Sequence, residues 1–172
     1  FKAGKGRIAF CFDWEKWLIW NGKYWASDEH DEVVVMALNL VNKHYNIALD
    51  HKQYIDMGDD PKAKKAVKAI VSHLNNSMNL SKIKAMIELA KGKLHVGARE
   101  LDADPMLLTC RSGTINLRTG LLQEHCHGDR ITKYIDIEYD PQATSDVWET
   151  FLDEITQNEP CLKSYLQRAA GY

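Results

Sequence analysis

Residues 17–25 of the chain read W-L-I-W-N-G-K-Y-W, with the pair Asn21-Gly22 between two aromatic runs. Asn and Gly both tolerate the positive φ angles that a tight hairpin turn needs. Aromatic residues on either side favour extended strands. The stretch therefore predicts a β-hairpin over residues 16–26.

Three amphipathic helices are predicted on the C-terminal side of this hairpin, because apolar residues recur there at helical spacing. Ser27 and Asp28 can cap the first helix, since their side-chain oxygens accept hydrogen bonds from free helix amides. The second helix begins at Pro61, because proline suits a first helical turn. The third helix is expected to be capped by Ser81 and to end at Gly92.

Charge is distributed unevenly along the chain, although the net charge is only −2. Residues 61–99 contain nine basic side chains against the single acid Glu88. Lysines on the outward faces of two consecutive helices would form a basic ridge if the helices pack side by side, and such a ridge suits nucleic acid. The alternative is an ordinary solvated surface. The predicted nucleic-acid-binding residues are Lys62, Lys64, Lys65, Lys68, Lys82, Lys84, Lys91, Lys93 and Arg99.

Short strands are predicted in the second half of the chain. Apolar runs separated by turns at Gly113 and Gly120 indicate paired strands over residues 107–122. Residues 132–139 alternate apolar with acidic side chains, which predicts one further strand that is half exposed to water.

Two helices are predicted near the C-terminal end. Ser145 can cap the first, and the second covers residues 161–170. Both carry apolar residues at helical spacing that are expected to face inward. These are Val147, Trp148, Phe151, Leu152, Ile155, Leu162, Tyr165, Leu166 and Ala169.

Together these elements predict an α+β fold, mainly helical, with an N-terminal β-hairpin and a small antiparallel sheet in the second half. We expect one domain over residues 1–172, made of a hairpin (1–27), a basic helical part (28–99), a small β part (100–144) and C-terminal helices (145–172). No apolar run approaches the roughly 20 residues that a membrane-spanning helix needs. A cytoplasmic location without a membrane partner is therefore expected.

The sequence contains no phosphate-binding loop. That loop needs G-x-x-x-x-G-K followed by Ser or Thr, so that backbone amides surround the phosphates and the lysine reaches the outer ones. The cluster Gly4-Lys5-Gly6 lacks the upstream glycine and the following hydroxyl. No cofactor is therefore predicted for this chain.

One candidate metal site consists of His125, Cys126 and His127 with Asp129 close by, because imidazole, thiolate and carboxylate are all zinc ligands. Adjacent residues on a strand point to opposite faces, so Cys126 could not easily join the two histidines. A polar turn with a buried cysteine is the alternative.

Asp136, Glu138 and Asp140 are a second candidate, because they would line one face of a strand as carboxylates do in two-metal nucleases and polymerases. A half-exposed strand produces the same alternation without any catalytic role. No accompanying constellation of His or Lys is evident. Neither a catalytic residue nor a metal ligand is therefore predicted.

Four tryptophans around the hairpin allow two interpretations. Exposed tryptophans could stack with the bases of single-stranded nucleic acid. Buried tryptophans would instead form the core of the hairpin, which their large apolar area favours. The four are Trp14, Trp17, Trp20 and Trp25.

Residues 107–120, L-L-T-C-R-S-G-T-I-N-L-R-T-G, resemble the N-G-x-x-D-L-x-T-G segment of the phage and plasmid primase family. Residues 17–25 are similar to the opening hairpin of the same domain. The similarity continues through His125, Asp129, Thr132, Tyr139, Asp140, Pro141 and Ala143. The chain thus resembles the poxvirus-helicase N-terminal-like domain that precedes a superfamily-three helicase motor.

Two positions depart from the family pattern. Ser112 stands where the family usually has Asn, and Asn116 stands where it usually has Asp. Both side chains can bond to nearby backbone groups, so the turn-forming chemistry is kept. A carboxylate role at Asn116 is lost.

The resemblance implies an accessory domain of a replicative DNA primase/helicase next to an ATPase motor. The basic stretch supplies the expected mechanism, which is to hold DNA without sequence specificity. ATP and Mg²⁺ would belong to that motor, outside this chain, and priming chemistry would lie upstream of Phe1. The expected partners are single-stranded or forked DNA and the other subunits of a helicase ring. One alternative is a structural collar, in which acidic flanks of one subunit meet the basic stretch of the next. A metal-dependent nucleic-acid enzyme is a weaker alternative.

Overall fold

The computed structural model describes residues 6–170, so most of the Gly4-Lys5-Gly6 cluster lies outside the described residues. The chain divides into two compact units, residues 1–138 and residues 139–172. The expectation of one domain over the whole chain stays a prediction. None of the helices within the described part is long and apolar enough to cross a membrane.

The predicted hairpin is confirmed. Strands β2 (Lys16–Trp20) and β3 (Trp25–Ser27) pair antiparallel, with Trp20 opposite Trp25. The turn between them has four residues, and the side-chain oxygen of Asn21 accepts hydrogen bonds from the amides of Lys23 (2.9 Å) and Tyr24 (3.0 Å). Gly22 has φ +97°, a conformation that glycine adopts without strain.

Two further strands extend this hairpin into a four-stranded sheet of order β3-β2-β1-β4. Strand β1 (Ile8–Cys11) pairs antiparallel with β2, and the two-residue strand β4 (His95–Val96) pairs parallel with β1. Strand β4 has no signal in the sequence, because two residues are too short to show a period.

Helix α1 (Glu32–Asp56) is long, and its two halves contact different partners. The side chain of Asp28, one of the two predicted caps, accepts hydrogen bonds from the amides of Glu32 (2.8 Å) and Val33 (3.0 Å). In the N-terminal half, Ala37 and Val41 pack against helix α3 (Leu80–Lys91). The C-terminal half packs against helix α2 (Pro61–Ser77).

The caps of the next two helices agree only in part with the prediction. Asp60 caps α2 by accepting hydrogen bonds from the amides of Lys62 and Ala63, and Pro61 occupies the first turn as predicted. Helix α3 is capped by Asn79, whose side chain accepts from the amide of Ser81. The predicted cap at Ser81 is therefore wrong, because an Asx side chain two residues earlier already satisfies that amide.

The predicted small antiparallel sheet is confirmed as strands β5 (Leu107–Thr109), β6 (Thr114–Asn116) and β7 (Leu121–Gln123). A Cβ atom at Gly113 would collide with the carbonyl oxygen of Gln123, so this turn needs glycine. Asn116 accepts a hydrogen bond from the amide of Arg118 (3.0 Å) through its side chain, which is the expected turn-forming role.

The strand predicted over residues 132–139 is wrong. Only Ile135 forms a bridge, parallel to Cys110, through hydrogen bonds from Ile135 N to Thr109 O (3.0 Å) and from Arg111 N to Ile137 O (2.9 Å). Strand β5 is only three residues long, so it offers too short an edge for a longer ladder. Ile135 and Ile137, expected to face inward, are exposed.

The two sheets of the first unit are tied together by residues far apart in the sequence. Trp25 donates from its indole to the carbonyl of His127 (2.9 Å) and from its backbone amide to the carbonyl of Ile131 (2.8 Å). The carboxylate of Asp102 accepts from the amide and the hydroxyl of Thr132, at 2.7 and 2.5 Å. Residues 127–132 thus connect the hairpin to the small sheet.

Arg111 and Asp136 form an exposed ion pair beside the small sheet, with a 3.0 Å bond from Nε to Oδ1. The hydroxyl of Tyr134 also donates to Asp136 (2.8 Å). The hydrogen bonds from Arg111 and Tyr134 lower the pKa of Asp136 to about 2. Tyr134 in turn stacks on Tyr24 of the hairpin, with ring centroids 4.9 Å apart.

The second unit contains helices α4 (Asp146–Thr156) and α5 (Pro160–Ala170), close to their predicted bounds. Ser145 caps α4 by accepting from the amide of Trp148, as predicted. Lys163 joins the helices by ion pairs to Glu149 and Asp153, both at 2.8 Å, and these bonds raise the pKa of Lys163.

The inward orientation predicted for the apolar residues of this unit is wrong for most of them. Among these apolar residues, Leu152 of α4 is buried and Leu166 of α5 is half-buried. Two helices that pack on each other along one side cannot cover the remaining apolar side of either. The exposed members are Val147, Trp148, Phe151, Ile155, Leu162, Tyr165 and Ala169.

We predict that Ile83→Ala destabilises the protein by about 2–5 kcal/mol, because it opens a cavity in a core that cannot fully collapse. Ile83 is 1% exposed and contacts Ala37 and Val41. Urea denaturation measures the loss. The matched control is Leu89→Ala on the same helix, where an exposed side chain should cost less than about 0.5 kcal/mol. Equal losses would contradict the assigned core.

We also predict a pH-dependent role for Asp136. Its pKa is lower in the folded chain than the ordinary 3.8, so its contribution to stability is complete above about pH 4 and is lost as the pH falls toward 2. The difference in Tm between the wild type and Asp136→Asn should therefore shrink over that range. Glu124→Gln, at an exposed acid, is the control. A difference that does not change with pH would refute the assignment.

Candidate nucleic-acid interface

The nine predicted basic residues lie on α2, on α3 and in the segment that follows α3. Lys64 and Lys91 are half-buried, and the other seven are exposed. Six of the exposed side chains take part in no ion pair within residues 6–170. These six are Lys62, Lys65, Lys68, Lys82, Lys84 and Arg99.

Lys91 has partners inside the protein. Its ammonium pairs with Glu88 at 2.7 Å and lies 4.7 Å from the ring centroid of Phe10. The i, i+3 spacing to Glu88 is visible in the sequence, but the contact with a ring on β1 is tertiary and left no local signal. Lys91 is therefore the least suited of the nine to bind an outside ligand.

The predicted basic ridge required helices α2 and α3 to pack side by side. They do not do so. Both pack mainly on α1, α3 near its N-terminal half and α2 near its C-terminal half. Since α1 has 25 residues, it spans about 37 Å. The basic side chains are thus distributed along the length of α1 instead of being concentrated at one point.

The tryptophans of the hairpin region are mostly core residues. Trp25 is 7% exposed, and Trp17 lines the space between the first sheet and helices α1 and α3. Trp20 is half-buried and tilts against Trp25. Trp14 remains accessible, at 42% exposure. The four therefore do not form a common stacking platform.

The histidine and cysteine candidates do not converge. Cys126 is exposed, and the ring of His127 lies 6.4 Å from the ring of Trp20. Both ring nitrogens of His125 are buried without a hydrogen-bond partner among the described residues. Across residues 6–170 no group of three or more His, Cys, Asp or Glu is arranged to hold a metal ion.

The carboxylates Asp136 and Glu138 lie near an arginine side chain. Asp136 pairs with Arg111, and Glu138 approaches the same guanidinium at 4.0 Å. Asp140 belongs to the second unit. Sequence reasoning missed Arg111 as the partner, because the contact brings together residues 25 positions apart.

The profile of one protein family, described as D5 N terminal like, matches residues 2–157. No curated protein matches the sequence. The matched range includes the hairpin, the basic helices, the small sheet and α4. The chain therefore belongs to the D5 N-terminal-like family, the domain found in phage and plasmid primase-helicase proteins.

Proposed function

We propose that this primase-helicase-associated domain holds DNA beside the motor through non-specific contacts with phosphates. The observation that carries the proposal is the set of exposed, unpaired cations on α2, α3 and the following turn, namely Lys62, Lys65, Lys68, Lys82, Lys84 and Arg99. An exposed ammonium without an internal ion pair can contact phosphate without first breaking a contact.

The distribution of these cations favours contact with a backbone over recognition of a single phosphate group. DNA carries one charge per about 1.7 Å of duplex axis. Cations distributed along α1, about 37 Å in length, would meet successive phosphates of a DNA segment. Lysine acts as a flexible point charge, so this contact would not depend on base sequence.

ATP hydrolysis, with Mg²⁺, is proposed to belong to a motor outside this chain. In this arrangement the domain would raise the local concentration of DNA at the motor without taking part in the chemistry. The contribution of the described lysines would be electrostatic and would weaken as salt concentration rises.

We predict that Lys65→Gln with Lys68→Gln, and separately Lys82→Gln with Lys84→Gln, each weaken DNA binding and reduce the salt dependence. For duplex DNA the slope of log K against log salt should become less steep by about two units per double variant. Fluorescence anisotropy between about 50 and 200 mM salt measures this slope.

The matched control is Lys16→Gln with Lys133→Gln, which removes the same charge from exposed positions outside the basic stretch. It should leave the slope unchanged. The proposal is wrong if the control weakens binding as much as the two test variants, or if the wild-type chain does not bind at the lowest salt.

A further inference from the structure

Helix α4 has an apolar side that its neighbour α5 does not cover. Val147, Phe151 and Ile155 follow one another at four-residue spacing, so they lie on one face. They are 82%, 46% and 49% exposed. A row of large apolar residues exposed at this level is typical of an interaction surface.

A groove with matching character lies between α1 and α2 in the first unit. It has a volume of about 620 Å³, and apolar side chains of both helices line it, including Ile47, Ile70 and Leu74. Ile70 is 51% exposed. The groove runs along α1 from His44 to Ile55, which corresponds to about 16 Å.

The α4 face and the groove fit each other in length. Helix α4 has 11 residues and so spans about 16 Å, close to the length of the groove. An amphipathic helix that lays its apolar face in a groove of this kind is a recurrent mode of recognition.

Helix α4 and helix α2, which forms one wall of the groove, differ in charge. Helix α4 contains no basic residue, and its acids Asp146 and Glu154 form no ion pair within the described chain. Helix α2 contains no acidic residue, and its N-terminal half carries the unpaired Lys62 and Lys65. Complementary charges of this kind steer association and fix the orientation of the partners.

We propose that α4 of one copy binds in the α1–α2 groove of a second copy, with Glu154 near Lys62 and Lys65. The two surfaces are different, so the contact is heterologous and each copy keeps one free groove and one free α4. Repetition of the contact builds a ring or a filament. The contact rests first on the apolar surfaces. Its charged part uses Lys62 and Lys65, which the proposed function also assigns to DNA, so variants of the apolar surfaces separate self-association from DNA binding.

Sedimentation velocity of the chain and two single variants tests the proposal. The wild type should associate as its concentration rises. Ile70→Glu places a charge in the groove, and Phe151→Asp places a charge on the apolar face of α4. Each variant alone should therefore remain monomeric. An equimolar mixture should form dimers and stop there, because one intact groove and one intact α4 remain. Leu89→Asp, at an exposed apolar residue on α3, is the control and should associate like the wild type.

Charge reversal gives a second test that does not alter the apolar surfaces. Lys65→Glu and Glu154→Lys should each weaken association at least tenfold. The variant that carries both substitutions, measured at the same protein concentration, should recover most of the lost association. Circular dichroism verifies that each variant is folded. A wild type that stays monomeric at several hundred micromolar, or a mixture of the two apolar variants that fails to dimerise, would overturn the proposal. DNA binding is measured for Phe151→Asp as well. If this variant binds DNA as tightly as the wild type does, loss of self-association is distinguished from failure of the DNA-holding role.

Discussion

The double hydrogen bond of Trp25 is the constraint on which the first unit depends. Its indole and its backbone amide both reach residues 127–131, more than a hundred positions away in the sequence. The ring is 7% exposed and belongs to a core with Cys11, Leu18 and Val96. A buried indole that lacked its acceptor would cost the desolvation of its N–H group, so the two halves of the unit stabilise each other.

The same unit leaves charged and apolar groups without partners at its periphery. Helix α1 is held near its N-terminal end by the sheet and α3, whereas its C-terminal half packs mainly on α2. Cations that would be costly to bury remain at the surface, and part of the apolar face of α2 remains there too. A protein that functions alone gains little from such surfaces, whereas one that works beside DNA and other subunits can use both.

Local patterns predicted the elements well, and tertiary contacts explain the failures. The Asn21-Gly22 turn, the helix start at Pro61 and the two glycine turns of the small sheet each depend on a few neighbouring residues, so the sequence alone was sufficient. The strand predicted over residues 132–139 failed because alternation does not provide a partner edge. The engagement of Lys91 with Phe10, and the exposure of α4, depend on what packs nearby, which no local spacing records.

The shape of α1 has a mechanical consequence. It is a single uninterrupted helix without Gly or Pro, so it bends little and behaves as a stiff lever anchored at the sheet. A rotation of about 10° at the anchored end would move the tip, about 37 Å away, by roughly 6 Å. A small rotation at the hairpin would thus produce a displacement of several ångströms at the C-terminal end of α1.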